Sequence, residues 1–122
     1  MSHIVTIETE VRDGGAARAA CERLGLPTPV EGSHELYSGT VHGLGVQLPG
    51  WQYPVVCHLD TGKVEFDNFS GRWGEQKEFD RFLQAYAIER TKLEARRKGY
   101  SVTEQSLGNG SIKVSIQVGG AA

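Results

Sequence analysis

Four histidines, two cysteines and a group of neighbouring carboxylates are the residues of this chain best suited to do chemistry, and their spacing limits what they could do. His3, His34, His42 and His58 could each offer a neutral imidazole to zinc or a similar cation. They fall in separate segments, with no pair at the i, i+4 spacing that places two ligands on one helical face. Cys57 and His58 are adjacent in a strand-like run, which sends their side chains to opposite faces. Cys57 would be a nucleophile only beside a base and with a lowered pKa, and its neighbours Val55, Val56 and Leu59 set an apolar environment with the opposite effect. Asp60, Glu65 and Asp67 gather about one hairpin and could divide acid and base roles if burial separated their pKa values. Charged residues at a hairpin are ordinarily solvated, and that is the expectation for all three.

The glycines make no phosphate cradle. Gly43 and Gly45 fall inside a strand-like segment, and Gly71 and Gly74 lack the Lys-Ser/Thr or GxGxxG continuation that phosphate binding uses, so they read as bulges and turns. The basic run Arg90, Lys92, Arg96, Arg97 and Lys98 could contact phosphates, but Glu89 and Glu94 interleave with it, and a helix dipole explains it as well. Trp51, Tyr53 and Trp73 stand in or beside Gly/Pro-rich turns, where large aromatics serve either as core plugs or as recognition anchors. The candidate binding residues are therefore Trp51, Tyr53, His58 and Trp73, with no catalytic residue, metal ligand set or cofactor assigned. The Gly119-Gly120 pair resembles the diglycine tail of ubiquitin-like modifiers, but a frayed terminus accounts for it.

The elements that must position these residues follow from size and pattern. A chain of 122 residues with 39 % apolar content supports one domain, residues 1–122, with a modest core. Its formal charge of −2 gives no field that would draw in polyanions, which counts against a nucleic-acid partner. The opening MSHIVTIETEV carries no basic leader or apolar signal segment, and no window approaches a membrane span, so a soluble, cytoplasmic protein is expected. Cys21 and Cys57 are too few for a disulfide scaffold and read as reduced core thiols.

Residues 3–11 alternate as a first strand. Asp13 can cap a short helix in which Ala17, Cys21 and Leu24 share one side, closed by Gly25 and Pro27. Residues 26–33, with two prolines and a glycine, read as a loop. Segments 35–38, 40–48, 53–59 and 63–69 read as strands, the last two paired across Asp60-Thr61-Gly62. From Glu75 the period becomes helical through Lys98, with Phe79, Phe82, Leu83, Tyr86, Ala87 and Leu93 on one stripe, acids at the start and bases at the end. Gly99 stops the helix, and 100–107 and 111–118 form a terminal strand pair about Gly108-Asn109-Gly110. The fold class is α+β: an antiparallel or mixed sheet covered by two helices, in the order β-α-β-β-β-β-α-β-β.

A resemblance accompanies this pattern. Met1-Ser2-His3 with Val11-Arg12-Asp13, then Leu24-Gly25, Gln84-Ala85-Tyr86-Ala87, Lys98-Gly99-Tyr100-Ser101-Val102-Thr103-Glu104-Gln105 and Gly110-Ser111-Ile112-Lys113-Val114 resemble the family of a hypothetical chloroplast reading frame, Ycf thirty-five-like, found also in bacteria and of unknown function. The likeness is strongest at the two ends, and residues 27–73 depart from it. Asn109-Gly110 also stands where the family pattern has Asp-Gly, and the chain ends in Gly119-Gly120-Ala121-Ala122 instead of a basic and aromatic end. The resemblance implies a small soluble α+β domain working beside larger proteins such as ATPases, and it carries over no catalytic residue. The leading expectation is a non-catalytic protein-interaction module whose exposed helix face and sheet surface, with a terminal edge strand, dock onto a protein partner or its own copy. A small-ligand or metal-binding protein with a pocket near Trp51 or Trp73 and His42 or His58 is the alternative, and an enzyme using Cys57, His58 or Asp60 is third.

Overall fold

The computed structural model describes residues 5–7 and 10–118. His3 and the Gly119-Gly120 pair lie outside them. The order is β1 (Val5–Ile7), α1 (Gly14–Leu24), β2 (Val30–Leu36), β3 (Gly39–Val46), β4 (Val55–His58), β5 (Lys63–Phe66), a short 3-10 turn (Phe69–Gly71), α2 (Gln76–Arg97), β6 (Ser101–Ser106) and β7 (Ile112–Gln117). This is the expected α+β order, with every pairing antiparallel.

Local chemistry sets the helix ends. The Asp13 carboxylate accepts from the Ala16 N–H at 3.0 Å, which satisfies one of the free donors of the first turn of α1. Gly25 ends that helix in the left-handed conformation, with φ of 71°. The buried face of α1 is made of Ala16, Ala17, Ala20 and Cys21, side chains small enough to bring the helix close to its neighbours. α2 begins one residue after the expected Glu75 and ends one before Lys98, followed by Gly99 at φ of 76°.

The main sheet has the order β1-β5-β4-β3-β2. Its helix-facing side contributes Leu44, Val46, Val55, Cys57, Val64 and Phe66 to one core with Phe79, Phe82, Ala85 and Tyr86 of α2. The β4–β5 hairpin forms where its alternation places it, with Cys57 opposite Val64 and His58 opposite Lys63.

Four expectations need correction. The 26–33 loop ends early, because the ladder to β3 starts at Val30 opposite Gly45, one residue past the last proline; pairing outweighs the local turn signals there. The first strand is regular over Val5–Ile7, and residues 10–13 already form the lead into α1. The terminal strands pair as expected but make a separate two-stranded sheet instead of extending the main one. Gly43 and Gly45 are not bulges either. They sit in an unbroken ladder where a Cβ would come within 2.8 Å of the Cys57 carbonyl oxygen and 2.4 Å of the His34 ring, respectively.

A candidate binding groove between helix and terminal hairpin

The β6–β7 hairpin runs back along α2 and is held at both ends. Near its tip, the Gln84 side-chain amide donates to the Gly110 carbonyl at 3.3 Å. Nearer its base, Glu104 of β6 accepts from Arg23 of α1 at 2.5 Å and from Lys92 of α2 at 3.0 Å, while Arg23 also reaches Glu89 at 3.1 Å. These four side chains are half-buried, and the hydrogen bonds from Arg23 and then Lys92 hold the Glu104 carboxyl down at about 2.

The clamp acts on β6 and leaves β7 reaching past the helix. Registry places Val102 on the same face of the hairpin as Val114 and Ile116. Between that face and the outer side of α2 lies a groove of 530 Å³. Leu83, Tyr86 and Ala87 form its floor, Ile116 and Val118 its outer wall, and Glu10, Arg90, Glu94 and Lys98 its charged rim. Tyr86 is fixed in place, since its hydroxyl accepts the N–H groups of both Arg12 and Asp13 at 3.0 Å. The outer wall is open to solvent, with Ile116 45 % and Val118 69 % exposed. An apolar lining with a few charges at the mouth is the usual make-up of a binding site, and 530 Å³ lies within the range of small-molecule sites.

The four residues singled out by sequence are not brought together here. Trp51 is a core plug: it is buried, stacks edgewise on Phe66 with ring centroids 5.4 Å apart, and donates its indole N–H to the Glu75 carbonyl at 3.0 Å. Trp73 and Tyr53 do meet, 5.6 Å between centroids, in a surface cluster that also holds Tyr37 and Phe69. Arg72 lies over the Phe69 ring at 5.0 Å. The rings pack on one another around Trp73, so the cluster fills its own space. His58 is the last residue of β4, at the opposite end of that strand from Tyr53, with Nε2 3.4 Å from Glu65 Oε2, close enough for an ion pair but outside hydrogen-bond geometry. His42 sits on the exposed part of β3, 3.7 Å from Glu31. The groove is lined by none of these four residues, nor by His42.

The remaining reactive groups are dispersed. Burial pushes the Cys57 thiol up to about 12 and the Cys21 thiol up to about 11, so both are inert core thiols. Asp60 is exposed and accepts from the Thr61 N–H at 2.9 Å. Asp67, expected to be solvated, is fully buried: Ser38 Oγ reaches its Oδ2 at 3.5 Å and its Oδ1 has no partner. Among the described residues no group of three or more His, Cys, Asp or Glu side chains could hold a metal ion, and no helix is long and apolar enough to cross a membrane.

Sequence reading missed the groove because it placed Leu83 and Ala87 on the same stripe as Phe79, Phe82 and Tyr86. The signal was present in the i, i+4 row Leu83, Ala87, Thr91 beside Tyr86, Arg90, Glu94, Lys98, a second helix side whose apolar members continue past the core. No protein-family model, curated protein or solved structure matches this chain.

Proposed function

We propose that this protein is a non-catalytic protein-interaction module whose contact surface is the groove between α2 and β7. The observation that carries this reading is the row Ile112, Val114, Ile116 and Val118, which continues along the whole of β7 beyond the cavity and is only half-buried or exposed throughout. A row of that length matches an extended or helical peptide segment better than one small molecule. Exposed Leu107, 41 % accessible, lies at the far end of the same hairpin. The rim carries Glu10 and Glu94 beside Arg90 and Lys98, both signs of charge, which suits orientation of a partner more than general attraction of polyanions.

Ala87 gives the cleanest test. It is exposed, lies on the groove floor and has room for a charged side chain without disturbing the core. Cross-linking mass spectrometry on the native protein with its binding partners should place contacts at Lys98 and Lys113, and Ala87→Glu should abolish them while leaving the melting temperature unchanged. Contacts that survive Ala87→Glu would move the interaction surface elsewhere. A second reading, a small apolar ligand, rests on the 530 Å³ volume. Native mass spectrometry of the purified protein distinguishes it: a bound mass that Ala87→Glu removes would favour the ligand.

A further inference from the structure

The free edge of β7 carries a self-complementary pattern. The Leu107 N–H donates to the Ser111 carbonyl at 2.9 Å, which marks that pair as hydrogen-bonded across the hairpin. Because bonded and non-bonded pairs alternate in an antiparallel ladder, Lys113, Ser115 and Gln117 also bond back to β6. The N–H and C=O groups of Ile112, Val114 and Ile116 are therefore turned outward along an edge that no described strand covers.

Edge strands are ordinarily protected by charge, proline, bulges or short length. The outer strand of the main sheet, β2, follows that rule with Glu31, Gly32, His34 and Glu35. β7 does not: its six residues alternate aliphatic and polar and include one charge, Lys113.

We propose that β7 pairs with β7 of a second copy of this chain, antiparallel about a two-fold axis at Ser115. This rests on the groove reading above, since it names the partner for the same surface. Only registers that set even-numbered residues opposite one another let the outward groups bond in pairs. Centring on Lys113 would set two lysines face to face, and centring on Val114 would leave them diagonal neighbours on one face. Centring on Ser115 sets Val114 opposite Ile116 of the second copy and Lys113 opposite Gln117, with the two lysines about 14 Å apart at an extended rise of roughly 3.4 Å per residue. The result is a four-stranded ribbon whose aliphatic face is continuous, with both α2 helices on the same side and the two grooves joined. Two copies of one edge meeting themselves is the isologous arrangement of a closed dimer.

The register predicts a specific cross-link. Ser115 on the axis forms a non-bonded pair with its symmetry mate, a Cα separation of about 4.5 Å that a disulfide can span. Ser115→Cys should oxidise to a covalent dimer in mild oxidant, with Cys21 and Cys57 buried and silent, whereas Lys113→Cys should not. Light scattering of the wild-type protein should show a concentration-dependent dimer, and Ser115→Lys, which sets like charges opposite on the solvent face, should weaken it several-fold. A wild-type chain that stays monomeric at high concentration, or Ser115→Cys cross-linking no faster than Lys113→Cys, overturns the dimer. If the dimer fails but Ala87→Glu still removes contacts to another protein, the groove reading stands; if both fail, the two fall together.

Discussion

The Trp51 indole N–H donates to the Glu75 carbonyl at 3.0 Å, so a core side chain satisfies the residue that caps α2. Its ring also occupies the space above Gly74, where a Cβ would lie 2.2 Å from the indole. One tryptophan thus joins the loop between β3 and β4 to the start of the long helix.

Trp51→Phe should keep most of the packing and lose one of the two hydrogen bonds at the Glu75 carbonyl, which still accepts the Glu78 N–H at 3.1 Å, at a cost of about 1 kcal/mol. Gly74→Ala forces the indole to move and should cost about 1–3 kcal/mol through overpacking. Urea unfolding of both variants measures this. A Gly74→Ala protein as stable as wild type would show that the indole does not lie on that glycine.

The clamp on the terminal hairpin should be visible in pH dependence. Glu104 titrates at about 2 in the folded protein against an ordinary value of 4.5, so its contribution to stability is present above pH 4.5 and is lost as the pH falls toward 2. With side chains 24–28 % exposed at Glu104, Lys92 and Arg23, solvent screening limits that contribution to about 1 kcal/mol. Comparing wild type with Glu104→Gln isolates it from other acids: the variant should be less stable at neutral pH, and the difference should vanish near pH 2. Faster hydrogen exchange confined to β6 and β7 amides in the variant would place the loss at the hairpin. A difference that persists unchanged to pH 2 would mean the clamp is not electrostatic.

Much of this architecture is legible in the amino-acid sequence. Asp13, Gly25 and Gly99 mark helix ends by chemistry that acts within a few residues, and the Asp60-Thr61-Gly62 turn sets its own hairpin. Elements governed by distant partners were not. Val30–Ser33 looks like loop until β3 supplies the ladder, and Asp67 looks solvated until Ser38 and the surrounding packing enclose it. The groove was hidden for the same reason. Tryptophan identity signals a large buried area but not its location, so Trp51 read as either core plug or anchor, whereas the groove is built from Leu83, Ala87, Ile116 and Val118, residues that draw no notice alone.

Thiol chemistry gives a direct check on the core. Cys57 and Cys21 are 0 % and 1 % exposed, and burial raises both thiols far above neutral pH. A disulfide reagent at pH 8 should leave both unreacted in the native protein and modify both once denaturant is added. Rapid modification of either thiol in the native state would mean that α1 does not stay seated over β4.

Phe69 is the only non-glycine among the described residues with positive φ, 47°, and it holds this conformation while stacking on Trp73 at 4.8 Å and lying under Arg72. A left-handed backbone costs an L-residue about 1–2 kcal/mol, so the ring contacts must offset that strain. Two substitutions separate the terms. Phe69→Ala removes the ring and keeps the strain, whereas Phe69→Gly removes both, and glycine adopts this φ without penalty. Phe69→Gly should therefore be more stable than Phe69→Ala by about 1 kcal/mol, the reverse of the order expected at an ordinary extended or helical position. Both should unfold more readily than wild type, because each exposes the face of Trp73 that Phe69 covers. If alanine proves the better replacement, the segment relaxes out of the left-handed region once the ring is gone, and the aromatic cluster, not the backbone, is what holds the turn between β5 and α2.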